Sequence, residues 1–161
     1  VRRHISDSVT PMPTPPRRRT RPASQARTPS QRKLHPSHFA VNECWLVVQA
    51  SRTPVRTDED GAFDVYVLQD AASMYIFGTV LVSAGSSAAR EEEIDELFQS
   101  AWRGKHAWPK RLVLSNSNPL VSSFAVAAER NGIAVEYVPN SALAVYTNDV
   151  QAGFSEHFGL G

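Results

Sequence analysis

Cysteine is nearly absent. Cys44 stands alone, so no disulfide can form within the chain, and a reducing compartment fits. The five histidines are scattered without the paired spacing of a structural zinc site. No run approaches the roughly 20 apolar residues of a membrane-spanning helix, and the first residues lack the apolar block of a secretory signal. Acid is also missing where base is plentiful: residues 1–38 hold nine Lys or Arg against one acid, Asp7. No Gly-x-Ser-x-Gly motif occurs, so Ser115, Ser122, Ser123, His106 and His157 do not combine into a nucleophile-elbow hydrolase. These absences predict a protein that avoids membranes and resides in a bacterial cytoplasm or with the nucleoid.

What is present divides in two. Residues 1–38 also contain seven of the eleven prolines and few large apolar side chains, so they cannot bury enough surface to offset the entropy of ordering. We expect a disordered basic tail there. Residues 39–161 reverse the charge balance, with eight bases against fifteen acids, and are rich in Val, Leu, Ala and aromatics. One α/β domain over residues 41–161 is expected.

Hydrophobic periodicity orders that domain. The contiguous Trp45-Leu46-Val47-Val48, within Val41 to Ala50, reads as a central strand buried on both faces. Ser51 to Gly61 is polar and turn-like, and precedes a second strand from Phe63 to Leu68. Asp70-Ala71-Ala72-Ser73 makes a short connection to a third, Met74 to Val82. A helix capped by Ser86 or Ser87 follows, with Ile94, Leu97, Phe98 and Ala101 as its apolar stripe. The acids Glu91, Glu92, Glu93, Asp95 and Glu96 form a solvated face at its positive end. Arg111 to Ser115 is the fourth strand, Asn118-Pro119 starts a helix that Gly132 closes, and Ile133 to Val138 is the fifth strand. A last helix, capped by Thr147 or Asn148, carries Val150, Phe154 and Phe158. Three meandering strands followed by α-β-α-β-α require a mixed five-stranded sheet with helices on its faces.

That order, together with local motifs, resembles a ribonuclease-H-like fold, and more narrowly the core domain of retroviral integrases and transposases, over residues 45–155. In that family the first strand opens with Trp, two residues and a catalytic Asp; here Val48 fills the Asp slot. Asp70-Ala71-Ala72-Ser73 is similar to the family's Asp-x-x-Ser before its third strand, where the Asp is structural. The family's Thr/Ser-Asp-Asn-Gly turn becomes Ser115-Asn116-Ser117-Asn118, so Asn116 replaces the second catalytic Asp. An ungapped extension from Pro139 brings Asp149 onto the third acid.

The resemblance thus implies a two-metal site with two of its three acids missing. Two Mg²⁺ or Mn²⁺ ions must be held by several anionic oxygens, of which Val48 offers none and Asn116 only a neutral carbonyl. The first expectation is therefore a catalytically degenerate domain without catalytic residues or cofactor. A rearranged carboxylate site built from Asp64, Asp70 and Asp149 is the enzymatic alternative, and requires those three groups to converge with Mg²⁺ or Mn²⁺. Cys44, beside Trp45, is expected to serve packing.

The positive functional clue is the tail. Arg17-Arg18-Arg19-Thr20-Arg21-Pro22 resembles an AT-hook, whose Arg-Gly-Arg-Pro core lies in the minor groove of A·T-rich DNA, with Thr20 in place of the glycine. With Arg27, Arg32 and Lys33, these arginines form a candidate nucleic-acid-binding set of strong salt dependence. A protein partner is the other open possibility, favoured by the acidic domain, whose charge repels phosphate.

Overall fold

The computed structural model describes residues 32–158. The sheet is built around β1 (Cys44–Gln49), which pairs antiparallel with β3 (Gly61–Asp70) on one edge and parallel with β5 (Arg111–Ser115) on the other. Beyond β3 lies β4 (Ile76–Ser83), antiparallel; beyond β5 lies β6 (Ala134–Val138), parallel. This is the mixed sheet that the strand reading predicts, with one addition. Val55–Thr57, which its polar surroundings assign to a turn, forms a short strand β2 against the start of β3. Phe63 faces both Val55 of β2 and Ser83 of β4, so β2 occupies the same edge of β3 as β1 and prolongs it after an interruption. Ser51 bridges that break by accepting the Val65 N–H at its hydroxyl, 3.0 Å away. The true hairpin turn is thus the acidic Asp58-Glu59-Asp60, ahead of Gly61, whose φ of 89° suits glycine.

Helices cover the two faces unequally. On one face, α1 (Glu91–Lys105) and α2 (Val121–Arg130) bury a core that includes Trp45, Val47, Leu68, Val80, Phe98, Leu112, Leu114 and Phe124. Gly78 in β4 permits the close approach of α1, because a Cβ there would meet Leu97 at 2.7 Å. On the other face α3 (Ala144–Phe158) buries Leu46, Val48, Val67, Val113, Leu143 and Tyr146. The packing reaches back to Leu34, which touches this second core and donates its N–H to Ala142 O at 2.8 Å.

Helix starts depart from the sequence reading in instructive ways. Arg90, without a side-chain cap, precedes α1, whose first turn is favoured instead by Glu91, Glu92 and Glu93 at the positive end of the dipole. Ser86 accepts from Ala88 N and closes a local turn. Asn118 caps as its sequence suggests, accepting from Leu120 N at 2.8 Å, but α2 proper begins at Val121. The last helix begins at Ala144, after a 3₁₀ turn over Asn140–Leu143, because burying Tyr146 outweighs the capping preferences of Thr147 and Asn148.

Two buried acids of weak strength, one on β1 and one on α3, lie between that helix and the sheet. Burial pushes the Cys44 thiol up to about 12, partly opposed by the nearby Arg111 guanidinium. Burial likewise raises Tyr146, whose hydroxyl donates to Ala71 O at 2.8 Å. Both folded-state values exceed those of the unfolded chain, so their contribution to stability is complete below about pH 9 and is lost as pH rises through the folded values. We expect stability to fall as pH rises above about 9 on account of Cys44, and more steeply above about 10 as Tyr146 joins it. Guanidinium midpoints measured between about pH 8 and 11 check this, and the Cys44→Ala variant should show a shallower pH slope. An unchanged slope would contradict the assignment to Cys44.

Candidate functional site

A small depression of about 140 Å³ opens where the ends of β1 and β5 meet the start of α2 and one face of α3. From β1 it is lined by Val47, Val48 and Gln49; from the turn after β5 by Ser115, Ser117 and Asn118. Thr147 and Gln151 line it from α3, with Asn140 from the preceding 3₁₀ turn and Tyr66 from β3. This is where a parallel sheet places ligands, beyond the carboxyl ends of its strands.

No lining side chain is a carboxylate. Val48 is 3% exposed and sits within the apolar core under α3. The Ser115 and Ser117 hydroxyls are 3.0 Å apart and bond to each other, and Asn118 spends its carbonyl on the Leu120 amide. Gln151 donates to Gln49 O at 3.3 Å, closing the wall between α3 and β1. Tyr66 is held above its ordinary phenolic value by burial and then by the neighbouring Asp64 charge. Neutral amides and hydroxyls therefore make up the polar lining. The residues do not fit a pair of divalent cations, which demand several anionic oxygens around a shared centre.

The individual aspartates lie apart. Asp149 is exposed on α3 and lines a separate, largely apolar depression with Ala50, Val67, Ile76 and Phe154. A helix turns about 100° per residue, so Asp149 projects roughly 200° away from Thr147 and from Gln151, which share the cleft face as an i, i+4 pair. Asp70 is fully buried at the opposite end of β1, paired in register with Trp45. Its carboxylate accepts from Asn42 N at 2.7 Å, Ser73 N at 2.8 Å and Ser73 Oγ at 2.7 Å, and the same Asn42 accepts from the Trp45 indole at 2.7 Å. Asp64 is half-buried beside Gln49, whose amide donates to it at 3.4 Å, but it does not line the cleft. Six residues of extended strand separate Asp64 from Asp70, about 20 Å. Among the described residues, no group of three His, Cys, Asp or Glu side chains gathers as a metal site. Asp64, Asp70 and Asp149 are not brought together.

Asn116 is exposed beside the cleft, with its N–H donated to Val138 O at 2.9 Å. Arg32 and Lys33 are exposed, and Arg32 borders a depression with Arg111 and Glu136 at the far end of β5 and β6. Arg17, Arg18, Arg19, Arg21 and Arg27 lie outside the described residues. The acidic start of α1 is a salt-bridged face in part: Arg130 of α2 reaches Glu91 at 2.6 Å and Asp95 at 2.8 Å. Sequence reasoning does not assign Gln49, Tyr66, Asn140, Thr147 and Gln151 to a site; the available signal is the four-residue spacing of Thr147 and Gln151, usable only once the helix register is known.

A central strand flanked by an antiparallel meander on one edge and two parallel strands on the other defines a ribonuclease-H-like fold. Among solved structures, the chain is similar to a chain in the cryo-electron-microscopy structure of the simian T-cell lymphotropic virus intasome in complex with the PP2A regulatory subunit B56 gamma. That match has a TM-score of 0.43 and 14% identity, and covers 80% of this chain and 45% of the other, so the present chain spans less than half of its length. No family model and no curated protein matches. No helix among the described residues is long and apolar enough to cross a membrane.

Proposed function

We propose that this chain is a catalytically degenerate integrase-core-like domain that acts by binding, with nucleic acid held by the basic residues ahead of it. The observation that carries the reading is the cleft at the ends of β1 and β5. Where two-metal chemistry needs acids, it presents Val48, Gln49, Ser115, Ser117, Thr147 and Gln151. Phosphate attraction then falls to Arg17, Arg18, Arg19, Arg21 and Arg27, together with Arg32 and Lys33, because residues 39–161 carry more acid than base and repel polyanions.

Two measurements test the two halves of this proposal. Labelled DNA and RNA incubated with Mg²⁺ or Mn²⁺ should remain intact. Cleavage that disappears in Asp149→Ala or Asp64→Ala, but persists in an exposed control such as Glu129→Ala, would defeat the degenerate reading. Removal of residues 1–31, which spares the packed Leu34, should weaken DNA binding at least about tenfold at low salt. It should also flatten the dependence of affinity on salt by about 0.9 in log–log slope for each phosphate that the shortened chain no longer neutralises. Binding that survives this deletion unchanged would assign the DNA-binding surface to the domain instead.

A further inference from the structure

A recess of about 540 Å³, larger in volume than the cleft, runs as a groove between β4 and α1. Five successive residues of β4, positions 77–81, line it. Side chains of a strand alternate between faces, so a wall made of consecutive residues means that the groove runs along the backbone edge of β4 rather than over one face. That edge is open: among the described residues β4 pairs with β3 alone. It carries few of the features by which sheets protect their borders: one irregularity, at Phe77, where Leu68 pairs with Gly78 and Gln69 with Ile76, sits at the end of the stretch and leaves residues 78–81 regular. Ile76 to Ser83 contains no charged residue and no proline, and Leu81 is 56% exposed. By contrast, β6 at the other border has five residues and carries Glu136.

The opposite wall of the groove is acidic. Glu92, Glu93 and Glu96 of α1 line it beside one base, Arg90, which reaches Glu93 at 3.8 Å; Glu96 is paired with Arg103 at 2.6 Å, so the charge offered to a partner comes chiefly from Glu92 and Glu93. An incoming strand would therefore find unpaired main-chain donors and acceptors on one side and negative charge on the other. We infer that the β4 edge receives an extended basic segment of a partner polypeptide, which adds to the sheet as a further strand and sets Lys or Arg side chains toward α1. Five residues of β4 span about 16 Å, room for a strand of about five residues. Main-chain pairing supplies affinity and the glutamates supply selection by charge. This surface lies on α1 and β4, away from the cleft, and the inference does not depend on the tail contacting DNA.

The full chain and a fluorescent octapeptide of alternating Lys and Val provide the test, read by anisotropy and by hydrogen exchange. Saturable binding is expected, with slower exchange of amides in residues 77–81. Methylating alternate amide nitrogens of the peptide, which removes its donors along one edge, should weaken binding at least about tenfold, as should combined Glu92→Lys and Glu93→Lys. Glu129→Lys on α2 serves as the charge control, and thermal melts establish that each variant is folded. Equal binding of the methylated peptide would reduce the association to nonspecific charge attraction and overturn the inference. So would exchange protection located elsewhere, or a doubling of mass in light scattering accompanied by protection of residues 77–81 without peptide, which would assign the β4 edge to a second copy.

Discussion

Val48→Asp, the substitution that puts a carboxylate back at the end of β1, is expected to lower the unfolding free energy by about 3–5 kcal/mol at pH 8. Val48 is buried among Val67, Leu143 and Tyr146, with no basic side chain in the cleft lining to compensate a new charge. Burial disfavours ionisation, so the folded-state value of the introduced carboxyl rises above the unfolded value of about 3.9. The penalty is therefore least in acid and grows as pH rises through the folded value. Val48→Thr, similar in shape but without charge, should cost no more than about 2 kcal/mol. Urea midpoints at about pH 5 and pH 8 measure the difference. A decisive counter-result is available: if about 10 mM Mg²⁺ restores the stability of Val48→Asp but not of Val48→Thr, neighbouring groups complete a cation site after all, and the degenerate reading falls.

Asp70→Ala is expected to cost about 3–5 kcal/mol while leaving DNA binding by the folded protein unchanged. The buried carboxylate accepts three hydrogen bonds that lock the entry into β1 to the turn between β3 and β4. Removing it orphans the amides of Asn42 and Ser73. It also frees Asn42, whose left-handed backbone (φ 62°) positions the acceptor for the Trp45 indole. Asp70→Asn should recover part of the loss, since its amide oxygen still accepts one of these bonds. If Asp70→Ala instead proved as stable as the parent, the three bonds would carry no weight and the structural role assigned to this acid would have to be given up.

The parts of the fold that can be read from the chain are those whose signals are local. Arg111 to Ser115 forms β5 over the expected residues, because Leu112-Val113-Leu114 is a short apolar run between polar flanks and both its faces are covered. Gly132, at a φ of 72°, closes α2 as its position after Asn131 suggests. Val55–Thr57 gives no such signal, because it joins the sheet through β3 and not through any alternation of its own three residues. Met74 opens the third strand by its sequence. In the structure it instead takes a left-handed turn conformation, φ 61°, which the Asp70 turn imposes.

The site is legible to the extent that strands are. Counting along β1 places Val48 at the strand end, and the structure sets it in the cleft. Counting along the last helix does not do the same for Asp149. One residue of error rotates a helical side chain by about 100°, and the start of α3 depends on the burial of Tyr146, a tertiary effect. The polar lining from Gln49, Thr147 and Gln151 follows from that same unseen register.

The place of β1 in the sheet also governs how the molecule is assembled. Its pairing with β3 joins residues about 20 positions apart, whereas its pairing with β5 joins Trp45 to Leu112. The meander of β1, β3 and β4 is thus complete when the ribosome has delivered residue 83, but the other border of β1 stays bare until the chain beyond Arg111 has emerged. Leu46 and Trp45 wait through that interval beside an unsatisfied ladder, the condition under which nascent sheets recruit wrong neighbours.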